Sequence, residues 1–115
     1  MEVVNVSKIV DGPLCISAED GQRLHDAIAS KLRENQAVVV SFQGIETLIS
    51  AFLNAAIGQL YGEFAENSIK ELLTVSDMNQ EDLVLLKRVV DNAKTYFENR
   101  DKVDSAWQDE VGDEE

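Results

Sequence analysis

Hydrophobic and polar residues change their spacing in the middle of the chain. Residues 37–42 (A-V-V-V-S-F) form a continuous apolar run, which is typical of a strand buried on both faces of a sheet. After Gly44 the apolar residues recur every three or four positions, as on one side of a helix. These helical positions are Leu53, Ala56, Ile57, Leu60 and Phe64. The pattern predicts a buried strand followed by a helix, with the joint between them as the first place to look for a recognition surface.

Two further helices have recognisable starts. Ser17 and Asp20 have the spacing of a capping box, so a helix is predicted to begin near Ala18 and to place His25 on its solvent side. Asn79 and Asp82 form a similar pair in front of a longer apolar stripe. The residues of that stripe are Leu83, Leu86, Val90, Ala93 and Phe97.

Three other segments are candidates for strands. Residues 2–10 alternate in polarity, which predicts a half-exposed edge strand, either parallel or antiparallel to its neighbour. Residues 14–16 either form a brief extended segment or lead directly into the next helix, and residues 68–75 predict another strand. Alternating strands and helices predict an α/β fold with a small, mixed but mostly parallel four-stranded sheet and three helices.

Length and charge limit what this fold can do. The 115 residues suit one domain, predicted over residues 1–102, followed by an acidic and flexible tail at 103–115. Half of the net charge of -12 lies in that tail, and such a charge disfavours direct nucleic-acid binding. A lone cysteine, the lack of a leader segment and the lack of a long apolar run predict a cytoplasmic protein that does not enter a membrane.

The sequence contains none of the common catalytic motifs for phosphate, dinucleotide, thiol, zinc or serine chemistry. His25 and Cys15 are the sole imidazole and thiol, and Cys15 is interpreted as a small buried hydrophobe. We therefore expect no metal, no cofactor and no enzymatic activity.

Polar residues concentrate at the joint between the central strand and its helix. A helix start beyond the carboxyl end of a strand is a common binding position in α/β proteins. Ser50 is predicted to cap this helix with its side-chain oxygen and is also a candidate for phosphorylation. The predicted partner-binding residues are Gln43, Gly44, Glu46, Thr47, Ser50 and Asn54.

The joint resembles the STAS domain of anti-sigma-factor antagonists, and more closely the bacterial STAS-like domains of unknown function. The resemblance is carried by A-V-V-V-S-F-Q-G-I-E-T-L-I-S-A-F-L-N and, before it, by C-I-S-A-E-D-G-Q-R-L. It implies a non-enzymatic regulatory module that binds a protein partner, such as a histidine-kinase-type ATPase.

The resemblance also implies control by phosphorylation, but the motif departs from the family pattern. The usual D-S-S-G would fall on Ile49, Ser50, Ala51 and Phe52, so three of its four positions differ and Ala51 replaces the phosphoacceptor. Partner binding without the usual phosphoserine switch is therefore predicted.

Two other functions are compatible with the sequence. One is an acidic inhibitor or nucleic-acid mimic that occupies a basic groove with its tail and surface acids. The other is a small-ligand or nucleotide-binding domain that uses the helix start at Ser50.

Overall fold

A computed structural model describes the backbone of residues 2–110 and the side chains of residues 2–98. Strands and helices alternate along most of this length. In chain order they are β1 (Glu2–Asn5), α1 (Val6–Val10), β2 (Leu14–Cys15), α2 (Ala18–Arg33), β3 (Val38–Ser41), β4 (Thr47–Leu48), α3 (Ser50–Ala56), a 3₁₀ helix (Gly58–Gly62), α4 (Glu66–Leu72), β5 (Leu73–Ser76) and α5 (Gln80–Glu110).

The predicted central strand is confirmed. β3 lies between β1 and β5 and pairs with both in parallel, so that Val40 faces Val4 on one side and Val75 on the other. Val38 and Val40 are buried, as expected for the middle of a sheet packed against helices.

The prediction of a mixed four-stranded sheet is wrong. Within the described residues, β1, β3 and β5 form one sheet, β2 and β4 form a second, and every pairing in both is parallel. Leu14 and Cys15 pair with Thr47 and Leu48, and α2 and β3 lie between these two short strands along the chain. The architecture is thus α/β, as predicted, but its strands are divided three and two.

The central strand was predicted to be buried on both faces of the sheet, but it is fully buried on only one of them. In the parallel register Val3, Val39 and Thr74 share the face opposite to Val40. Val3 is 57% exposed, Thr74 is exposed and Val39 is half-buried. The core therefore lies between the other face and the helices.

The predicted number of helices is also wrong, since the described residues contain five α-helices rather than three. The predicted strand at residues 2–10 ends at Asn5, and α1 follows with Val6 buried in the core. The predicted strand at 68–75 is mostly α4, which places Ile69 in the core, and only its last part pairs with β3 as β5. These helices are short, and burial of one apolar side chain contributes more to them than local propensity.

Both predicted helix starts are confirmed. The Ser17 side chain accepts a hydrogen bond of 3.0 Å from the backbone N–H of Asp20, and Asn79 Oδ1 accepts one of 2.8 Å from that of Asp82. α5 continues to Glu110 and so enters the segment predicted as a tail. The side chains of that segment and residues 111–115 lie outside the described part, and the division at residues 102 and 103 stays a prediction. Over the residues described, no helix has the length and apolar character needed to cross a membrane.

Candidate functional site

A tight turn follows the central strand. The N–H of Ile45 donates to the carbonyl of Phe42 at 3.1 Å, and Gly44 has a φ of +82°. That φ is typical of the third position of a type II turn, where a residue with a Cβ is strained. Gly44 therefore lets the chain leave β3 and run back towards β2.

β2 holds the rest of the joint in place. The backbone N–H groups of Glu46 and Thr47 both donate to the carbonyl of Pro13, at 2.8 and 3.3 Å. The N–H of Ile49 then donates to the carbonyl of Cys15 at 3.1 Å. The segment between the central strand and α3 is thus fixed by backbone hydrogen bonds before any partner is present.

Side chains alternate along this pair of strands, and the outer face is apolar. Cys15 and Leu48 are paired and point to the core, where Cys15 is fully buried. Three large apolar side chains remain exposed to solvent next to this pair. They are Leu14 at 44%, Ile16 at 49% and Ile49 at 38%. We call Leu14, Ile16, Thr47 and Ile49 the β2–β4 patch.

The predicted capping role of Ser50 is wrong. Ile49 occupies the N-cap position with extended backbone and makes no side-chain hydrogen bond to the helix, while Ser50 is the first residue inside α3. The reason is the register of β4, since the backbone bond from Ile49 to Cys15 keeps the chain extended for one residue longer. Ser50 is therefore an exposed hydroxyl at the helix start.

All six predicted partner-binding residues are exposed. Five of them lie within residues 43–50, the segment that also supplies Thr47 and Ile49 of the β2–β4 patch. Asn54 lies one turn further along α3 and borders a different cavity of about 360 Å³ between α3 and α5. The side chains that line that cavity with it are Gln59, Asn92, Ala93, Tyr96 and Phe97.

A hydroxyl and carboxylate cluster at the ends of two neighbouring strands was not predicted. Ser41 Oγ donates to Asp77 Oδ2 at 2.8 Å, and Ser76 Oγ donates to the same oxygen at 3.1 Å. Ser41 Oγ also accepts from the backbone N–H of Gln43 at 3.3 Å. The cluster ties the start of the joint to β5. Its sequence signal was a serine directly after a valine at the end of both strands, V-S-F and V-S-D.

The prediction that His25 faces solvent is wrong. Its side chain is buried, with Nε2 at 3.0 Å from Glu63 and Nδ1 at 3.0 Å from Asp26. The hydrogen bond with His25 lowers the pKa of Asp26, helped by a second one from Gln22. The signal was present, because His25 lies at helical spacing from buried Ile28 and Leu32.

Cys15 agrees with its interpretation as a buried hydrophobe. Burial, together with the negative charge of nearby Asp20 and Asp82, raises the pKa of its thiol to about 12. A thiol with that pKa stays protonated and is a poor nucleophile at neutral pH. In residues 2–98, His, Cys, Asp and Glu side chains do not gather in any group of three that could hold a metal ion.

The chain was compared with known proteins. The model of a family described as a STAS-like domain of unknown function (DUF4325) matches residues 20–83, which is more than half of the chain. The matched segment contains α2 from its third residue onward, β3, the whole joint and β5. A search of curated proteins and a search of solved structures gave no match.

Proposed function

The chain belongs to the family of STAS-like domains, and on that premise we propose that it is a non-enzymatic regulatory module that binds another protein. The proposed contact surface is the β2–β4 patch together with the polar residues of the 43–54 joint. The observation that carries the proposal is the exposure of three large apolar side chains beside the predicted recognition residues.

The physical argument rests on the cost of apolar surface in water. Burial of apolar area contributes about 25 cal/mol per Å². A partner that covers exposed Leu14, Ile16 and Ile49 therefore gains favourable binding free energy. Contiguous apolar side chains rimmed by polar ones are typical of protein contact sites. Here the rim consists of Gln43, Glu46 and Ser50, all exposed.

The backbone of this surface supports binding as well. Four hydrogen bonds fix it: two to Pro13, one to Cys15 and one within the turn at Gly44. A surface that is already ordered loses little conformational entropy on association, which favours affinity.

Non-enzymatic action is supported by the state of the two most reactive side chains. Both ring nitrogens of His25 are engaged by carboxylates, and the buried Cys15 thiol has a pKa of about 12. Neither group is arranged to serve as a base or a nucleophile for a bound substrate.

The partner that the STAS relationship favours is a histidine-kinase-type ATPase. We expect binding without the usual phosphoserine switch, because Ala51 stands at the matched acceptor position. Ser50 is exposed at the start of α3, so a phosphate there would meet the positive end of the helix rather than disrupt it.

The test is a calorimetric titration of the full chain against a candidate ATPase of this class. Ile49→Arg places a charge in the patch and is expected to weaken binding at least tenfold, and the pair Ser50→Asp and Glu46→Lys is expected to weaken it as well. Thr74→Arg, on the open face of the three-stranded sheet, is the matched control and should bind like the original chain. Equal affinity for all of these variants would remove the joint as the contact surface.

An acidic inhibitor of a basic groove is the second candidate, favoured by the net charge of -12 and the six acids in 103–115. This function requires the acids of the tail for binding, whereas binding through the β2–β4 patch does not. Replacing those six acids by Asn and Gln should abolish binding of a basic target if the tail is the inhibitor, and should change little if the β2–β4 patch is the contact.

A further inference from the structure

The chain segments that build the β2–β4 patch have an unusual charge pattern. Residues 9–22 and 34–69 contain no lysine and no arginine. Those two segments include β2, β4 and α3. The cations that flank these two segments are Lys8, Arg23, Arg33 and Lys70, and Arg23 is already paired with Asp20 at 3.1 Å.

Acids lie along the same two segments. Glu46 immediately precedes β4, and its backbone is fixed to Pro13 at 2.8 Å. Glu19 lies in the first turn of α2, three residues after Ile16, and Asp11 ends α1 just before β2. All three side chains are exposed. The apolar patch is therefore bordered by negative charge that no cation of its own segments neutralises.

From this arrangement we propose that the partner presents an apolar face rimmed by lysine and arginine. The inference rests on the proposed function, because it names the chemistry of the protein that the β2–β4 patch contacts. Opposite charges around an apolar centre raise the association rate and exclude partners of the wrong sign.

The same charge pattern disfavours other binding partners that could cover an apolar patch. A second copy of this chain would bring its own acidic rim against Glu19 and Glu46. An anionic lipid surface or a nucleic acid would be repelled in the same way. A protein face with basic flanks is the occupant for which apolar burial and charge act together.

Three synthetic amphipathic helical peptides test the inference with the full chain. They share one apolar stripe of leucines and differ only in the flanking residues, which are lysine, glutamine or glutamate. Binding is measured by fluorescence anisotropy at about 50 mM and about 300 mM salt, since screening weakens contacts between exposed charges. The lysine peptide is expected to bind at least tenfold tighter than the glutamate peptide and to lose most of that advantage at the higher salt.

A pair of double variants separates local from overall charge. Glu19→Lys with Glu46→Lys reverses the rim of the patch, whereas Glu71→Lys with Glu98→Lys makes the same change of net charge on α4 and α5, at exposed positions. The rim variant should lose at least tenfold in affinity for the lysine peptide, and the matched variant should lose less than threefold. Urea unfolding of both variants checks that each remains folded.

The outcomes distinguish the inference from the proposed function. Equal binding of all three peptides, abolished by Ile49→Arg, would keep the patch as a contact surface and overturn the basic partner. Equal loss in both double variants would mean that net charge alone attracts the peptide, which also overturns it. Failure of every peptide to bind would overturn the patch itself.

Discussion

The ring Nε2 of His25 lies 3.0 Å from both carboxylate oxygens of Glu63, which joins α2 to the end of the 3₁₀ helix. His25 is 5% exposed in its side chain and Glu63 is 41% exposed. The contact is therefore a half-buried, charge-assisted hydrogen bond between two elements that are far apart in sequence.

A double-mutant cycle should measure this contact. Because Glu63 is partly solvated, we expect a coupling free energy of about 1 kcal/mol between His25→Ala and Glu63→Ala, which is below the roughly 1.5–3 kcal/mol of hydrogen bonds to charged groups. The measurement is urea unfolding of the chain, both single variants and the double variant. The matched cycle of His25→Ala with Asp26→Ala should give less, since the Asp26 side chain is 69% exposed. Additive effects of His25 and Glu63 would mean that the contact does not form in solution.

Gly21→Ala should destabilise the chain although alanine favours helices. A Cβ at this position would lie 2.6 Å from the carbonyl oxygen of Phe52 and 2.9 Å from the Cβ of Ala55. Relieving that contact requires α2 and α3 to separate, and we expect a loss of about 1 to 3 kcal/mol in unfolding free energy.

The control for this variant is Ser30→Ala, at an exposed position of the same helix. It should change the unfolding free energy by about 0.5 kcal/mol or less. If Gly21→Ala were as stable as Ser30→Ala, the close approach of α2 and α3 would be wrong.

Gly44→Ala should lower the free energy of unfolding by about 1 kcal/mol, because alanine is strained in the backbone conformation of Gly44. Nothing lies within 4 Å of a Cβ at Gly44, so the penalty comes from its φ of +82° and not from a steric clash. Gly44→Asn should cost less, because asparagine tolerates positive φ better than alanine does. Thermal unfolding of the two variants measures the order, and a reversed order would argue against the turn.

Cys15 should make stability fall with pH in a defined window. The folded thiol has a pKa of about 12 against 9.0 for the ordinary group, so both states are neutral below pH 9 and only the unfolded chain ionises between pH 9 and 12. The contribution is therefore fully present below pH 9 and decreases above it, by about 1.4 kcal/mol at pH 10.

Cys15→Ala isolates this effect from the other groups that titrate in alkali. The difference in unfolding free energy between the original chain and the variant should narrow by that amount from pH 7 to pH 10. If the unfolding free energies of the original chain and of Cys15→Ala changed equally with pH, the thiol would be exposed to solvent in the folded chain. Alkylation of the folded chain by iodoacetamide at pH 8 should likewise be slow compared with the chain in urea.

Features set by neighbouring residues were predictable from the sequence. The apolar run at Val38 to Val40 identified the central strand, and Ser17 and Asn79 identified two helix starts. The chemistry of Cys15 followed from its surroundings in the same way. The predicted partner surface at the joint is exposed, and its role in binding a protein is a proposal.

Features that depend on distant contacts were decided by the tertiary structure. Local spacing did not distinguish α4 from a strand, because its helical conformation depends on tertiary packing that buries Ile69. Ser50 does not cap α3, because the pairing of β4 with β2 places Ile49 at the N-cap position. His25 contacts the carboxylate of Glu63, which lies 38 positions further along the chain.

The physical reason is the range of the forces involved. Periodicity, capping and turn preference act within about one turn of helix or one pair of strands, so the sequence by itself determined where the central strand lies and where α2 and α5 begin. Which strands share a sheet, which face stays open and which polar groups are buried depend on the packing of elements far apart in the chain. The folded structure alone brings β2 beside β4 and leaves Leu14, Ile16 and Ile49 in solvent.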